Sequence, residues 1–328
     1  MSAVVVLGVS RSGTTLLKEM LDRNSQLAIP SESYFIPQLW SRHGDRPDRA
    51  AILADLARLE RVRAWGLAPA DVERRLAAQP SFADVVAAVY GAYAEARGKP
   101  RYGDKTPAYM QQLELLERAF PGAQYVHIVR DGRDAALSFV AMRRRPRFNW
   151  ARPRGLADFA CQWAYEVRAA RRFGETVARG RYLELRYEDL VAEPAARLEQ
   201  ICGFLGLPYE PEMLEYSRGV DAGSLQDHPR LADPPTVGVR SWREEMPQPD
   251  AELFEAIAGG LLAELGYPRA HPDPSPRARA RAAAERAAFR TRLTSWNAAV
   301  AIARRSPAWR VRQIYIRRTS SGGARVPT

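Results

Sequence analysis

Lysine is nearly absent from this chain. Among 328 residues there are three, Lys18, Lys99 and Lys105, against 46 arginines. Arginine is used wherever a cation suffices, so each lysine is a candidate for chemistry that needs a compact ammonium. Cysteine is equally scarce: Cys161 and Cys202 both fall in helix-like apolar patterns. They read as reduced core thiols, which excludes a disulfide-stapled fold and suits a cytoplasmic protein. No apolar run approaches the ~20 residues of a membrane span. The chain enters a strand within three residues of Met1, which leaves no room for a signal peptide. Most of the chain also lacks excess charge. Residues 271–328 hold thirteen arginines against Asp273 and Glu285, the full net +11, so residues 1–270 balance at 36 basic and 36 acidic. The basic excess belongs to the tail, and no nucleic-acid-binding body is expected.

What is present begins with Val4-Val5-Val6-Leu7-Gly8-Val9-Ser10-Arg11-Ser12-Gly13-Thr14-Thr15. An apolar strand runs into a Gly/Ser/Thr loop and then a helix. Loop N–H groups and an open helix N-terminus form an anion cradle. The spacing nearly fits a nucleotide P-loop, but Thr14 stands where its lysine belongs and the cation has moved to Arg11. A phosphate ester is expected here, held differently from the way an ATPase holds ATP.

Apolar residues make up 46% of the chain, enough for a large core. Strands are expected at 3–9, 27–30, 124–129 and 182–185. Helices are expected at 14–23, across 50–97 with breaks near Pro69 and Pro80, and at 109–119, 132–142, 156–177, 194–205 and 251–265. This alternation predicts an α/β fold, a three-layer P-loop-like sandwich around a parallel sheet. Residues 1–267 read as one domain. Residues 268–328 read as a Pro-rich linker and a basic helical extension.

Arg130 closes the strand ending at Val129, at the sheet edge where ligands bind in open α/β folds. Ser138 follows about two helical turns on. The pair can hold a second anion, or Arg130 can simply pair with Asp131 or Asp134. Gly103-Asp104-Lys105-Thr106-Pro107 reads as a tight loop before a helix, where Lys105 is either a point charge for chemistry or a solvated surface residue.

Together these segments resemble the PAPS-dependent sulfotransferases, PAPS being 3′-phosphoadenosine 5′-phosphosulfate. The resemblance covers roughly residues 3–267. It extends through Tyr187-Glu188-Asp189-Leu190 and Phe204-Leu205-Gly206-Leu207-Pro208-Tyr209, and is nearest to the branch of bacterial small-molecule and tyrosylprotein enzymes. It implies that Arg11, Ser12, Gly13, Thr14 and Thr15 bind the 5′-phosphosulfate, that Arg130 and Ser138 bind the 3′-phosphate, and that Tyr187 lies against the adenosine. Val237–Trp242 is similar to a late loop over the 3′-phosphate, with Arg240, Ser241 and Trp242 as contacts. Glu32, twenty-one residues after Arg11 and followed by Ile36-Pro37, matches the catalytic carboxylate of the tyrosylprotein enzymes. Lys105 matches the lysine on the bridging oxygen. Met142 departs from relatives that place an arginine there, although Arg143 is adjacent.

The implied activity is PAPS-dependent sulfation of a hydroxyl on a small-molecule, glycan or lipid acceptor, without a metal. Glu32 would be the general base, with a helix-capping role as its alternative. His228 is the second candidate base, and His127, inside a strand, is expected to be packed. Arg11 and Lys105 would stabilise charge growing on the leaving phosphate. Residues 42–97 and 143–154 are expected to shape the acceptor pocket. The competing classes are a P-loop kinase, which Thr14 opposes, and a non-catalytic anion- or membrane-binding protein.

In the tail, Arg277–Arg304 can form a helix with Phe289, Leu293, Trp296 and Val300 on one stripe. Trp309, Val311, Ile314, Tyr315 and Ile316 follow among more arginines. That segment can dock on the domain, on a second subunit as a homodimer, or on an anionic inner-membrane face.

Overall fold

Val4–Leu7 forms β1, four residues each at most 2% exposed, and its burial on both faces makes it the centre of the sheet. The computed structural model describes residues 2–143, 153–177, 179–220, 229–232 and 241–304. They fall into two compact units, one drawn from 1–131 and 165–241, the other from 132–164 and from 242 onward.

In the first unit, β1 is joined by β2 (Leu27–Ala28), β3 (Arg101–Lys105), β4 (Gln124–Val129) and β5 (Tyr182–Arg186), in the order β2-β3-β1-β4-β5. All pairings are parallel, with Val6 opposite Lys105 and Val126. Val4, Val6, Val126 and Ile128 share one face with Leu17, Met20 and Leu21 of α1 (Thr14–Asp22) and with Leu198, Ile201 and Leu205 of the helix Pro194–Leu205. Alternation turns Val5, Tyr125 and His127 to the other face, where they are equally buried. His127 is fully packed, as expected, with Nδ1 bonded to the Tyr182 hydroxyl at 2.7 Å. Cys161 and Cys202 are buried and unpaired.

Two elements differ from the expectation. The helix expected at 109–119 is split at Gln112 into a 3-10 turn, Pro107–Gln111, and a helix, Leu113–Ala119. Gly103–Lys105 is no loop: Arg101–Lys105 is an inner strand between β1 and β2. Its polar sequence hides it, because the strand buries its charges paired. Arg101 donates to the Ser2 and Leu205 carbonyls, each at 2.6 Å. Asp104 accepts from Tyr90, Ser33 and Thr106. Two of the three lysines are structural. Lys18 pairs with Glu19 and Asp22, and Lys99 donates to the carbonyls of Asp22 and Leu27, tying the end of α1 to β2.

The second unit contains the helix Gly132–Arg143, the start of Leu156–Thr176, and the helices Trp242–Glu245, Gln248–Glu264 and Pro276–Arg304. Arg133 is fully buried, donates to Glu255 at 2.6 Å and to the Pro268 carbonyl at 2.9 Å, and stacks 3.6 Å from the Trp242 ring. Pro276–Arg304 packs along Gln248–Glu264 through Ala278 and Ala282. Arg286 donates to the Ala256 carbonyl at 2.8 Å, and Arg292 pairs with Asp158. Phe289 and Leu293 of the expected stripe are half-buried; the side chains of Trp296 and Val300, and the segment Trp309–Ile316, lie outside the described residues. No helix among the described residues is long and apolar enough to cross a membrane.

Candidate active site

Every strand of the parallel sheet ends at the same edge, and the residues singled out in the first unit collect there. The loop after β1 carries Arg11 at φ 74° and Gly13 at φ 89°. Gly13 is the N-cap of α1, and a β-carbon on it would stand 2.3 Å from Cδ2 of the Tyr187 ring. Glycine is therefore required twice, by the left-handed backbone and by the ring packed against it. Ser12 is 1% exposed, and its Oγ has no hydrogen-bond partner. A buried orphan hydroxyl in a loop at a helix N-terminus fits an anionic ligand, whose oxygens would complete it.

Lys105, at the end of β3, links this loop to Glu32. Its Nζ donates to Glu32 Oε1 at 2.8 Å and to Thr15 Oγ1 at 3.2 Å. Glu32 follows β2 and keeps 24% of its side chain exposed, whereas Lys105 keeps 4%. Burial pushes the Glu32 carboxyl upward. The Lys105 charge and hydrogen bond, the Tyr34 hydroxyl and Arg61 outweigh it and hold the carboxyl below the ordinary glutamate value. The Tyr34 hydroxyl donates to Glu32 Oε2, and Arg61 donates to the Glu32 carbonyl at 3.1 Å.

Beneath this pair lies a buried polar network. Ser33 donates from N to Thr106 Oγ1 at 3.1 Å, and its hydroxyl bonds Asp104 at 3.1 Å and Tyr109 at 2.6 Å. Ile36 N donates to the Tyr109 hydroxyl at 3.2 Å. Ser33 neighbours Glu32, and Asp104 and Thr106 flank Lys105, so the network fixes the backbone of both. Burial raises the Asp104 carboxyl to about 6 despite the hydroxyls of Tyr90, Thr106 and Ser33 and the Lys105 charge. Its Oδ2 is buried without a partner.

Arg130, 8% exposed, follows β4, stacks 4.6 Å from the Tyr187 ring and donates to the Arg11 carbonyl at 3.3 Å. The first unit thus brings together Arg11–Thr15, Glu32, Lys105, Arg130 and Tyr187. Ser138 lies half-buried on the helix Gly132–Arg143 of the second unit. Trp242 is 7% exposed in the same unit, its N–H donated to Asp134 at 2.8 Å and its ring under Arg133. Ser241, just before it, is half-buried; Arg240, His228 and residues 144–152 of the basic loop lie outside the described residues.

The sequence reading missed Tyr34, Arg61 and the Asp104 network. A single arginine carries no signal in a chain this rich in them. Asp104–Thr106 stands out as a motif, but nothing in it points to Tyr90 or Tyr109, which reach it from distant segments.

A model of the sulfotransferase family matches residues 3–211. The chain is 25% identical over 277 residues to protein-tyrosine sulfotransferase A of Caenorhabditis elegans, covering 82% of this chain and 68% of that protein. It is 29% identical over 297 residues to nodulation protein NoeE of Sinorhizobium fredii (strain NBRC 101917 / NGR234), covering 80% and 65%. The sulfotransferase domain from the curacin biosynthetic pathway superposes with a TM-score of 0.59 at 24% identity, covering 82% of this chain and 98% of that domain, and shares the fold.

Proposed function

From the premise that this chain belongs to the sulfotransferase family, we propose how its own residues carry out PAPS-dependent sulfation of a hydroxyl. The protein is an enzyme of sulfuryl transfer. PAPS supplies an activated sulfuryl group on a phosphate leaving group. Arg11, Ser12, Gly13, Thr14 and Thr15 hold the phosphosulfate, and the orphan Ser12 hydroxyl supports that role. Arg130 holds the 3′-phosphate; Ser138, Arg240, Ser241 and Trp242 are further candidates for that role on the family resemblance alone. The stacked Arg130 and Tyr187 supply a cationic, aromatic wall for the adenosine end.

The observation that carries the reading is Lys105, whose ammonium touches both Glu32 and Thr15. One cation therefore serves the group that takes the acceptor proton and the loop that holds the departing anion. Glu32, ionised at neutral pH, accepts the acceptor proton and contributes ~10²–10⁴-fold. Lys105 and Arg11 stabilise charge that grows on the leaving oxygen, each by about 3 kcal/mol. The chain's Thr14, where a nucleoside triphosphatase has its lysine, argues against ATP as donor.

The acceptor bears a hydroxyl and is a small molecule, a glycan or a lipid. Peripheral membrane contact would rest on the arginines and aromatics after Arg304, since Arg286 and Arg292 are engaged within the second unit. The test is a mass-spectrometric screen of phenols, alkyl glycosides and hydroxylated lipids, each incubated with PAPS and the full chain. A product heavier by one SO₃, formed in the presence of EDTA and absent with E32Q, is the expected result.

A further inference from the structure

Glu32 presents two oxygens, and each has a partner. Oε1 faces the Lys105 ammonium, so an acceptor proton has Oε2 as its destination. Oε2 already carries the hydroxyl of Tyr34. That hydroxyl is a phenol, chemically the kind of group an acceptor brings. We propose that Tyr34 is a displaceable stand-in for the acceptor: its hydroxyl occupies the acceptor's place on Glu32, and acceptors bind by turning it out. The proposal rests on Glu32 being the base.

The surroundings are built for such a movement. Tyr34 sits at φ 55°, a left-handed conformation that a β-carbon disfavours. Its neighbours are pinned. Ser33 and Phe35 are each 2% exposed, Ser33 is held by Asp104, Thr106 and Tyr109, and Ile36 N is bonded to Tyr109. Tyr34 itself is 42% exposed. Its side chain can rotate into solvent without opening the core on either side. Arg61 holds it in the resting position, 4.4 Å over the ring, and remains anchored to the Glu32 carbonyl when the ring leaves.

Displacement makes Tyr34 a selector. An acceptor hydroxyl must exchange one hydrogen bond for another on the same oxygen, so only the rest of its contacts set its affinity. Removing the Tyr34 hydroxyl removes the competitor. The charged and titratable groups facing Glu32 are Lys105 from β3, Arg61 from the helix Glu60–Ala64 and Tyr34 itself. Of these only Tyr34 is changed in a Tyr34→Phe protein.

The probe is p-cresol, the tyrosine side chain itself, a phenol that stays protonated at neutral pH. Its affinity is measured by calorimetry for the native full chain, Y34F and Y34G, with and without adenosine 3′,5′-bisphosphate, so that a missing donor site reveals itself separately. Y34F and Y34G should bind it roughly three- to tenfold more tightly than the native protein, and E32Q should erase the difference. With PAPS, the phenol KM should fall by the same factor while kcat moves less. The acid limb of kcat/KM should shift upward, because a hydrogen bond that favours the Glu32 carboxylate has gone. Equal or weaker binding in both variants, or binding to neither, would overturn the proposal, since both remove the competing hydroxyl and Y34G removes the ring as well. A sulfated Tyr34 in the native protein incubated with PAPS would support it, because the hydroxyl would then have taken the acceptor's part.

Discussion

Lys105 donates to Glu32 Oε1 at 2.8 Å. The lysine is buried at the end of an inner strand, and the glutamate lies in the irregular segment after β2, held through the hydrogen bonds of its neighbour Ser33 to Asp104 and Thr106. The same Nζ reaches Thr15, the first turn of α1. In the free protein the ammonium keeps Glu32 ionised. On the proposed mechanism, an anion in the loop would give the ammonium a second negative partner and free Glu32 to act as a base.

Replacing Glu32 with Gln should lower kcat by ~10²–10⁴-fold. Affinity for adenosine 3′,5′-bisphosphate should change by less than about tenfold, a difference of about 1.4 kcal/mol. Steady-state kinetics beside calorimetry separates the two. Near-normal turnover would move the base elsewhere, with His228 next in line.

Lys105→Ala should reduce kcat about a hundredfold or more, and bisphosphate binding less, because its charge partner grows in the transition state. The pH profile carries a second sign. Glu32 works ionised and its carboxyl is held low, so the acid limb of native kcat/KM falls below the ordinary glutamate value of about 4.3. Without Lys105 that limb should move up in pH.

Gly13→Ala forces a β-carbon into the left-handed region and into the Tyr187 ring. The backbone cost alone is about 1–2 kcal/mol. The variant should melt lower than the native protein and bind the bisphosphate at least tenfold more weakly. An unchanged affinity would mean that the loop does not hold the nucleotide.

Some of this was legible and some was not, for physical reasons. Val4–Leu7 and its Gly/Ser/Thr loop could be read because a buried parallel strand is a plain apolar run and an anion loop has a composition of its own. The place of Arg130 just after β4 could be read because the apolar run before it is a plain buried strand. β3 could not, because Arg101 and Asp104 are buried by partners far off in sequence, Leu205 and Tyr90 among them. The Glu32 pairing with Lys105 also escaped spacing rules, since β2 and β3 are adjacent in the sheet while some seventy residues apart in the chain. Tyr34 gave no signal, as a half-exposed tyrosine beside a glutamate is ordinary.

Asp104 should set part of the pH dependence of stability. Its folded value of about 6 lies above the unfolded value near 3.9, so the native state holds its proton more tightly. That contribution is full below about pH 4 and is lost as pH rises through about 6. Melting of the native protein against D104N should therefore show the native gaining on the variant as pH falls from 7 to 4.5. A constant difference would contradict the assignment.

Arg133→Ala takes from buried Glu255 its nearer guanidinium, leaving Arg269 at 3.8 Å, and should cost about 3–5 kcal/mol of stability. The Trp242 ring loses the nearer of two stacked guanidiniums, Arg243 remaining at 4.6 Å. Chemical denaturation reads the loss, and a change under about 1 kcal/mol would show that the pair is not fully desolvated.

The edge of the sheet is expected to hold a 3′-phosphoadenosine nucleotide through two separate anion contacts, Arg11–Thr15 and Arg130. The direct measurement is calorimetric titration of the full chain with adenosine 3′,5′-bisphosphate and with ATP, both in EDTA, for the native protein and R130A. The bisphosphate should bind in EDTA, ATP should bind at least tenfold more weakly, and R130A should weaken the bisphosphate at least tenfold. ATP binding as tightly as the bisphosphate, or an R130A protein that binds the bisphosphate like the native one, would contradict it.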